Sequence, residues 1–197
     1  MKKFFYQEID STQEEIKKLL KNESHYKEAL LVFADKQNSG KGRFGRNWSS
    51  PAGKGIYMSL AQKLDDGLLN EPQSLIELAE SITKKTGLVL IEVLKKFFDS
   101  PLLEDLYLKP INDIYYQEKK LAGILIEIIN HNEEKFLIIG IGINLLKSEY
   151  DLVESLDGKN AVPISLEEIL TDHSWQKSFN KTELIESIAI ALLNQPY

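Results

Sequence analysis

The pattern of apolar and polar positions predicts that strands and helices alternate over the first third of the chain. Residues 4–9 and 29–34 are short apolar runs, which are typical of strands. Between these runs, Ser11 and Glu14 have the spacing of a capping box, so a helix is predicted to begin near Ser11. Residues 56–60 alternate with a two-residue period, which predicts another strand after a polar, glycine-rich loop.

The rest of the chain is predicted to contain a strand-rich region with helices on either side. Residues 75–98 predict a helix over the second half of that segment, because Gly87 interrupts the pattern before a regular apolar face begins. A capping box at Ser165 and an apolar face over residues 182–193 predict two later helices, and residues 147–161 predict a long loop. Three apolar runs separated by short polar turns predict an antiparallel meander: residues 105–109, 114–129 and 135–146.

Composition predicts a globular protein that folds as a single domain over residues 1–197. Apolar residues make up 43% of the chain and charged residues 27%, which are not the proportions of a disordered or membrane protein. The chain has no cysteine, and this excludes disulfides, thiolate metal sites and catalytic thiols. The N-terminal segment turns polar by Gln7 and no apolar run is as long as a membrane span, so we expect a cytoplasmic protein.

The distribution of positive charge singles out one glycine-rich segment, SGKGRFGRNWSSP at residues 39–51. The net charge is −6 and lysines are spread along the whole chain, which argues against DNA binding, whereas the only arginines, Arg43 and Arg46, lie together here. Glycines, guanidinium groups and the flat face of Trp48 together predict a phosphate site. The spacing is neither a Walker A loop nor GxGxxG. A flexible, basic, exposed loop remains the open alternative.

Two further segments carry weaker signals. Asn112 and Asp113 precede a predicted strand and Lys120 follows its turn, so a carboxylate and an ammonium group are predicted to flank one pocket, with Gly123 leaving space beside it. Taken alone, a plain hairpin with solvated lysines explains this segment better. Residues 140–144, GIGIN, end a very apolar strand in small residues and an amide, which is a weak signal by itself.

These segments resemble the biotin protein ligases when they are taken together and in order. The glycine-arginine loop over residues 39–51 carries most of the resemblance, and residues 10–13, 109–123 and 140–144 add to it. The resemblance extends over about residues 5–193. It implies an α/β (α+β) catalytic domain of the biotin-lipoate ligase type, similar to class II aminoacyl-tRNA synthetases, with a mixed, largely antiparallel sheet flanked by helices.

The resemblance also implies a two-step reaction. Biotin and ATP would give biotinyl-5′-AMP and pyrophosphate, and a lysine of a biotin carboxyl carrier protein would then displace AMP. Mg²⁺ is expected with the ATP phosphates, and no metal site formed by the protein itself is expected.

The resemblance assigns roles to individual residues. Asp113 would orient or deprotonate the acceptor lysine, and Trp48 would pack against the biotin tail. The expected biotin contacts are Ser11, Thr12, Gln37, Gly40, Lys41, Gly42, Trp48 and Gly123. The expected nucleotide contacts are Arg43, Arg46, Asn112, Lys120 and Asn144. The expected catalytic residues are Arg43, Lys120 and Asp113.

The chain departs from the family pattern in several places. Residues 109–113 lack the usual tryptophan, and Lys41 stands where arginine is common. We expect no winged-helix segment before Met1 and an absent or vestigial C-terminal β-domain, which predicts a ligase that is not a repressor. Residues 147–161 are expected to order over the adenylate and to exclude water. A homodimer is compatible with the sequence.

Two other functions stay open. A lipoate or octanoate protein ligase or transferase would share the fold and the pocket lysine, but it should lack the glycine-arginine loop. A non-enzymatic nucleotide-binding module gains support from Trp48 and from Tyr115 and Tyr116. The negative net charge and the lack of a second basic cluster oppose that interpretation.

Overall fold

The computed structural model describes residues 1–22, 28–64, 74–149, 153–154 and 160–196. The strands in chain order are β1 (Lys2–Ile9), β2 (Leu30–Gln37), β3 (Gly55–Lys63), β4 (Leu106–Lys109), β5 (Asp113–Tyr116), β6 (Lys119–His131), β7 (Glu134–Asn144), β8 (Val153–Glu154) and β9 (Asn160–Ala161). The α-helices are α1 (Thr12–Asn22), α2 (Leu75–Phe98), α3 (Leu166–Ile169), α4 (Trp175–Ser178) and α5 (Lys181–Leu193).

Seven strands form one sheet with the order β1-β2-β3-β7-β6-β5-β4, and β8 pairs with β9 apart from it. Strands β1 and β2 are parallel, and every other neighbouring pair in the large sheet is antiparallel. The predicted mixed, largely antiparallel sheet flanked by helices is therefore confirmed. The predicted meander is also confirmed, because β4 to β7 are sequential neighbours connected by short turns.

Adjacent residues of a strand point to opposite faces, so the two faces of the sheet have separate cores. On one face, Leu31 and Met58 belong to a large buried cluster with Leu90 of α2 and Ile188 of α5. On the other face, helix α1 covers part of the sheet. The buried residues of this second cluster are Ile16, Leu20, Leu30, Val32, Ala61, Phe136 and Ile138. Among the described elements, α1 is the helix that contributes to this second cluster.

Helix α2 corrects the prediction that only the second half of residues 75–98 is helical. The helix begins at Leu75, because Ser74 and Glu77 form a reciprocal capping box in front of it. Exposed apolar side chains at Leu75 and Ile76 obscured the amphipathic pattern of the first turn. Gly87 does not interrupt the helix. A Cβ atom at that position would lie 2.6 Å from the Leu108 side chain, so glycine allows close packing of α2 on β4.

Helix α1 begins where it was predicted, but its side-chain cap is different. The Glu15 N–H donates to the Ser11 carbonyl at 3.0 Å, as in a regular first turn. The Ser11 hydroxyl is buried without a hydrogen-bond partner within the described residues, so the predicted capping box is wrong. Instead, the Thr12 N–H donates to the side-chain oxygen of Gln37 at 2.8 Å, which ties the start of the helix to β2.

The later elements agree with the sequence pattern in part. Helix α3 has the predicted capping box, with the Ser165 N–H donating to Glu168 at 3.0 Å, and α5 matches the predicted last helix within one residue. The four-residue helix α4 was not predicted, because one turn is too short to show a helical period. Most of the predicted loop over residues 147–161 lies outside the described residues. No helix in the described part of the chain has both the length and the apolar composition needed to cross a membrane.

Candidate active site

The floor of the candidate site is a strip of glycines on the α1 side of the sheet. Gly123 in β6 pairs with Gly142 in β7, and Gly140 lies two residues before Gly142 on the same face. The indole of Trp48 lies on this strip. A Cβ atom at Gly123 would be 2.7 Å from the Trp48 ring, and one at Gly142 would also clash with it. Glycine at both positions therefore makes room for Trp48.

Most of the predicted site residues line one cleft above this strip. They are Thr12, Gln37, Lys41, Gly42, Arg46, Trp48, Asn112, Asp113, Lys120 and Gly123. The free volume of the cleft is about 50 Å³, which is small beside ligand pockets of about 300–1,000 Å³. Trp48 and Lys41, which belong to the glycine-arginine loop, line this cleft.

A carboxylate and an ammonium group meet at one wall of the cleft. Lys120 Nζ lies 2.8 Å from Asp113 Oδ1, and the two side chains are 11% and 18% exposed. The contact is an ion pair and not a well-directed hydrogen bond, because Asp113 Oδ1 lacks a partner of hydrogen-bond geometry in the described structure. Lys120 Nζ also lies 5.3 Å from the centre of the Trp48 ring. The arrangement brings a mobile positive charge to the cleft and partly shields it from water.

The inner end of the cleft is polar and buried. Ser59 Oγ lies 2.9 Å from both Thr12 Oγ1 and Gln13 Oε1. The hydroxyl of Thr12 donates to Gln37 Oε1 at 3.1 Å. Gln13 and Ser59 were missed by the sequence analysis. One signal was available for Ser59, because it is the only small polar residue in the apolar run of residues 56–61.

A chain of hydrogen bonds anchors the glycine-arginine loop to this inner end. Gln37 Nε2 donates to Ser50 Oγ at 2.9 Å, and Ser50 Oγ donates to the Trp48 carbonyl at 3.0 Å. The Trp48 N–H closes the base of the loop by donating to the Gly40 carbonyl at 2.9 Å. A Cβ atom at Gly40 would lie 2.8 Å from Ser50 Oγ. Gly40 is thus required by the base of the loop and does not line the cleft.

The two arginines of the loop lie in different places. Arg46 lines the cleft, whereas Arg43 lines a separate surface groove together with Phe44, Leu75 and Ile76. The guanidinium carbon of Arg43 lies 5.0 Å from the centre of the Phe44 ring. Its Nη1 atom is buried and has no hydrogen-bond partner among the residues that the structure describes. The structure therefore does not bring Arg43 together with Lys120.

Two predicted nucleotide contacts hold the backbone in place. Asn144 is buried, and its side chain donates to the carbonyls of Lys120 at 3.3 Å and Ile164 at 3.1 Å. The Asn112 side chain donates to the Ile124 carbonyl at 3.1 Å. Asn112 also borders the cleft, whereas Asn144 does not. Both amides fix the strand that carries Lys120, and direct contact with a nucleotide stays a prediction.

The described residues contain no group of three or more His, Cys, Asp or Glu side chains that could hold a metal ion. Ser11, like Gly40, Arg43 and Asn144, does not line the cleft.

Comparison with known proteins identifies the family to which this sheet and its glycine-floored cleft belong. Residues 5–144 match the model of the Biotin/lipoate A/B protein ligase family. This match covers more than half of the chain, so the chain belongs to that family. The resemblance read from the glycine-arginine loop and the later segments is confirmed.

Individual relatives agree with this assignment. The bifunctional ligase/repressor BirA of Escherichia coli K12 is 36% identical over 138 residues, which are 70% of this chain and 38% of BirA. A biotin–[acetyl-CoA-carboxylase] ligase of Mycobacterium tuberculosis is 27% identical over 61% of this chain and 41% of its own length. The chain thus matches well under half of these relatives' lengths.

A solved structure extends the likeness over almost the whole chain. The biotin protein ligase of Aquifex aeolicus in complex with biotin and ATP matches 98% of this chain and 68% of its own, with a TM-score of 0.67 and 26% identity.

Proposed function

We propose that this chain uses ATP to convert biotin into biotinyl-5′-AMP and then transfers biotin to a lysine of a biotin carboxyl carrier protein. The observation that carries the proposal is the ion pair of Lys120 and Asp113 beside a glycine strip covered by Trp48. The complex of the Aquifex protein with biotin and ATP supports both substrates. The name of the mycobacterial relative supports a carboxylase carrier as the acceptor.

In the first step, a carboxylate oxygen of biotin attacks the α-phosphorus of ATP. A new O–P bond forms, the bond to the leaving pyrophosphate breaks, and negative charge grows on the phosphoryl oxygens. Lys120 and Arg46, which both line the cleft, supply the positive charge that stabilises this state. One preorganised donor of this kind contributes about 3–4 kcal/mol to the stabilisation of a transition state.

Arg43 requires a rearrangement before it can take part. We expect the loop to lift when the ligand enters and Arg43 to turn from its groove toward the phosphate. The Nη1 atom of Arg43 supports this expectation. It has no hydrogen-bond partner among the described residues, so no bond to this atom is broken when Arg43 leaves the groove. Mg²⁺ would enter with ATP. Its ligands would be mainly phosphate oxygens and water, since the described residues offer no cluster of metal-binding side chains.

In the second step, the amine of the acceptor lysine attacks the acyl carbon of biotinyl-AMP. A C–N bond forms, the bond from the acyl carbon to the phosphate oxygen breaks, and AMP leaves. The amine must lose a proton before or during the attack, and Asp113 is the carboxylate at the cleft wall that can accept it. The neighbouring Lys120 Nζ lies 2.8 Å from Asp113 Oδ1 and holds this carboxylate at the cleft wall.

Exchange of labelled pyrophosphate into ATP tests this proposal. We expect exchange that depends on biotin, and biotin should appear on a purified carrier domain when that domain is added. Exchange supported by lipoate and not by biotin would contradict the proposed substrate.

A variant of the loop tests the role of Arg43 in the same assay. The Arg43→Ala protein should lose about a hundredfold of the exchange rate if Arg43 turns toward the phosphate. A wild-type rate in that variant would show that Arg43 remains in its outer groove during the reaction.

A further inference from the structure

Glu127, Lys17 and Glu14 form a cluster behind the inner end of the cleft, and this cluster is hydrogen-bonded to Gln13, which lines the cleft. The side-chain nitrogen of Gln13 donates to Glu127 Oε2 at 2.8 Å, and Lys17 Nζ donates to Glu127 Oε1 at 2.8 Å. Lys17 also pairs with Glu14 at 3.2 Å. Gln13 is 3% exposed, so its amide is held between the cleft and the cluster.

The carboxylate of Glu127 determines which way the Gln13 amide faces. An ionised carboxylate only accepts hydrogen bonds, so the NH₂ group of Gln13 must face Glu127 and the oxygen must face Ser59. Lys17 Nζ occupies the other oxygen of this carboxylate, Glu127 Oε1, at 2.8 Å. Burial lowers the pKa of Lys17, but its ion pairs with Glu127 and Glu14 outweigh that effect, and the pKa of Lys17 is raised overall.

This orientation gives the inner end of the cleft an excess of hydrogen-bond acceptors. Ser59 Oγ has one proton and two neighbouring acceptors, Thr12 Oγ1 and Gln13 Oε1, each 2.9 Å away. The proton of Thr12 is already donated to Gln37. At least one acceptor lone pair therefore remains for a ligand, and an N–H group is the matching ligand chemistry.

We infer that Glu127 is a positioning residue for substrate selection: through Gln13, it makes the inner end of the cleft select a ring that carries N–H donors. The inference rests on the proposed function and refines it. The ring of biotin is a cyclic urea with two N–H groups, whereas the dithiolane ring of lipoate has no hydrogen-bond donor. The carboxylate behind the cleft thus favours biotin over lipoate without touching either.

The test compares Glu127→Gln with a matched control, Glu14→Gln. Both changes remove one carboxylate from Lys17, but of these two carboxylates it is Glu127 that accepts a hydrogen bond from the Gln13 side chain in the described structure. A glutamine at 127 lets the Gln13 amide take either orientation. Calorimetric titration with biotin should show a Kd raised about tenfold in Glu127→Gln and unchanged in Glu14→Gln. The inhibition constant of lipoate and the kcat of pyrophosphate exchange should stay within about twofold of wild type.

A double variant that swaps the glutamine at 13 and the glutamate at 127 should restore biotin binding. In the Gln13→Glu/Glu127→Gln protein, the amide at 127 can donate to the carboxylate at 13, which still presents an acceptor to the cleft. Biotin affinity should return to within about threefold of wild type. If Glu127→Gln does not fold, this double variant decides alone, and weak biotin binding by the folded double variant would overturn the inference.

Two further outcomes separate this inference from the proposed function. A folded Glu127→Gln protein with wild-type biotin affinity, or one that loses biotin and lipoate affinity equally, would overturn the role of Glu127 alone. Wild-type protein that neither binds biotin nor supports biotin-dependent exchange would refute the proposed function and this inference together.

Discussion

Strand β7 is covered in two different ways along the same face of the sheet. Phe136 and Ile138 are buried in the cluster that contains α1. Two and four residues after Ile138, Gly140 and Gly142 replace such side chains, and Gln13 and Trp48 occupy the space that side chains would fill. One half is closed by apolar residues of α1, and the other half is closed by Gln13 of the same helix together with the ring of Trp48 on the loop. One strand thus lines both an apolar core and a polar cleft on the same face of the sheet.

The largest effect is expected in the part of this sheet face that lines the cleft. Lys120→Ala should lower the rate of pyrophosphate exchange by about 10²- to 10³-fold, because it removes the positive charge nearest to the reacting groups. The neighbouring Lys119 is exposed on the same strand, so Lys119→Ala is the matched control and should retain wild-type exchange. Equal rates in the two variants would remove Lys120 from the mechanism.

The next effect tests the apolar cluster around Phe136 and Ile138. Ile138 is completely buried, and Ile138→Ala should lower the free energy of unfolding by about 2–4 kcal/mol through lost burial and the cavity left behind. Urea unfolding measures this loss. The kcat of the folded fraction should stay within about twofold of wild type, since Ile138 does not line the cleft. A large loss of kcat with unchanged stability would show that the two halves are not separate.

A smaller effect is expected at the glycine strip. Gly142→Ala places a methyl group against the Trp48 ring, so it should displace the ring and lower kcat/KM for biotin about tenfold, or about 1.4 kcal/mol. The same change should have little further effect in a Trp48→Ala background, because the group with which it clashes is gone. Additive effects of the two changes would contradict the assignment of Gly142 to Trp48.

The smallest effect concerns the segment that leaves β7. Glu167 accepts a hydrogen bond from the Lys147 N–H at 2.7 Å and another from Gln176 at 2.9 Å. These bonds lower the pKa of Glu167 from its ordinary value of 4.5. The stabilisation is therefore present above that value and is lost as the pH falls through the folded-state pKa.

Glu167→Gln should remove this pH-dependent part of the stability, which is below about 1 kcal/mol at a screened surface. Unfolding curves of the wild type and the variant at neutral and acidic pH measure it. A difference between the two proteins that grows as the pH falls would contradict the assignment.

The fold could be predicted well where apolar periods are long. The meander and α5 follow directly from their apolar runs, because burial of one or both faces fixes the pattern in the sequence. The first half of α2 was missed because Leu75 and Ile76 are apolar but exposed. Their presence breaks the rule that apolar residues mark the buried face of a helix.

The site could be predicted in part. Asp113 and Lys120 were expected at one pocket, and strand pairing does bring them together. The direction of Arg43 could not be predicted, since nothing in a loop sequence states which side of the loop a side chain takes. Gln13 was missed because its contact with Ser59 joins positions 46 residues apart. The single polar position at Ser59 is a local signal, but it does not indicate which residue Ser59 contacts.

The hydrogen-bonded chain from Thr12 through Gln37 and Ser50 to the Trp48 carbonyl has a thermodynamic consequence. A ligand group that hydrogen-bonds to Thr12 alters the hydrogen bond between Thr12 and Gln37. Through Ser50, the change is passed on to the backbone of Trp48, whose ring covers the cleft. A ligand that binds at the inner end and displaces the Trp48 ring would couple these two events through one free energy. By linkage, the position of Trp48 would then change the affinity of the inner end by the same factor by which the bound ligand changes the equilibrium of Trp48.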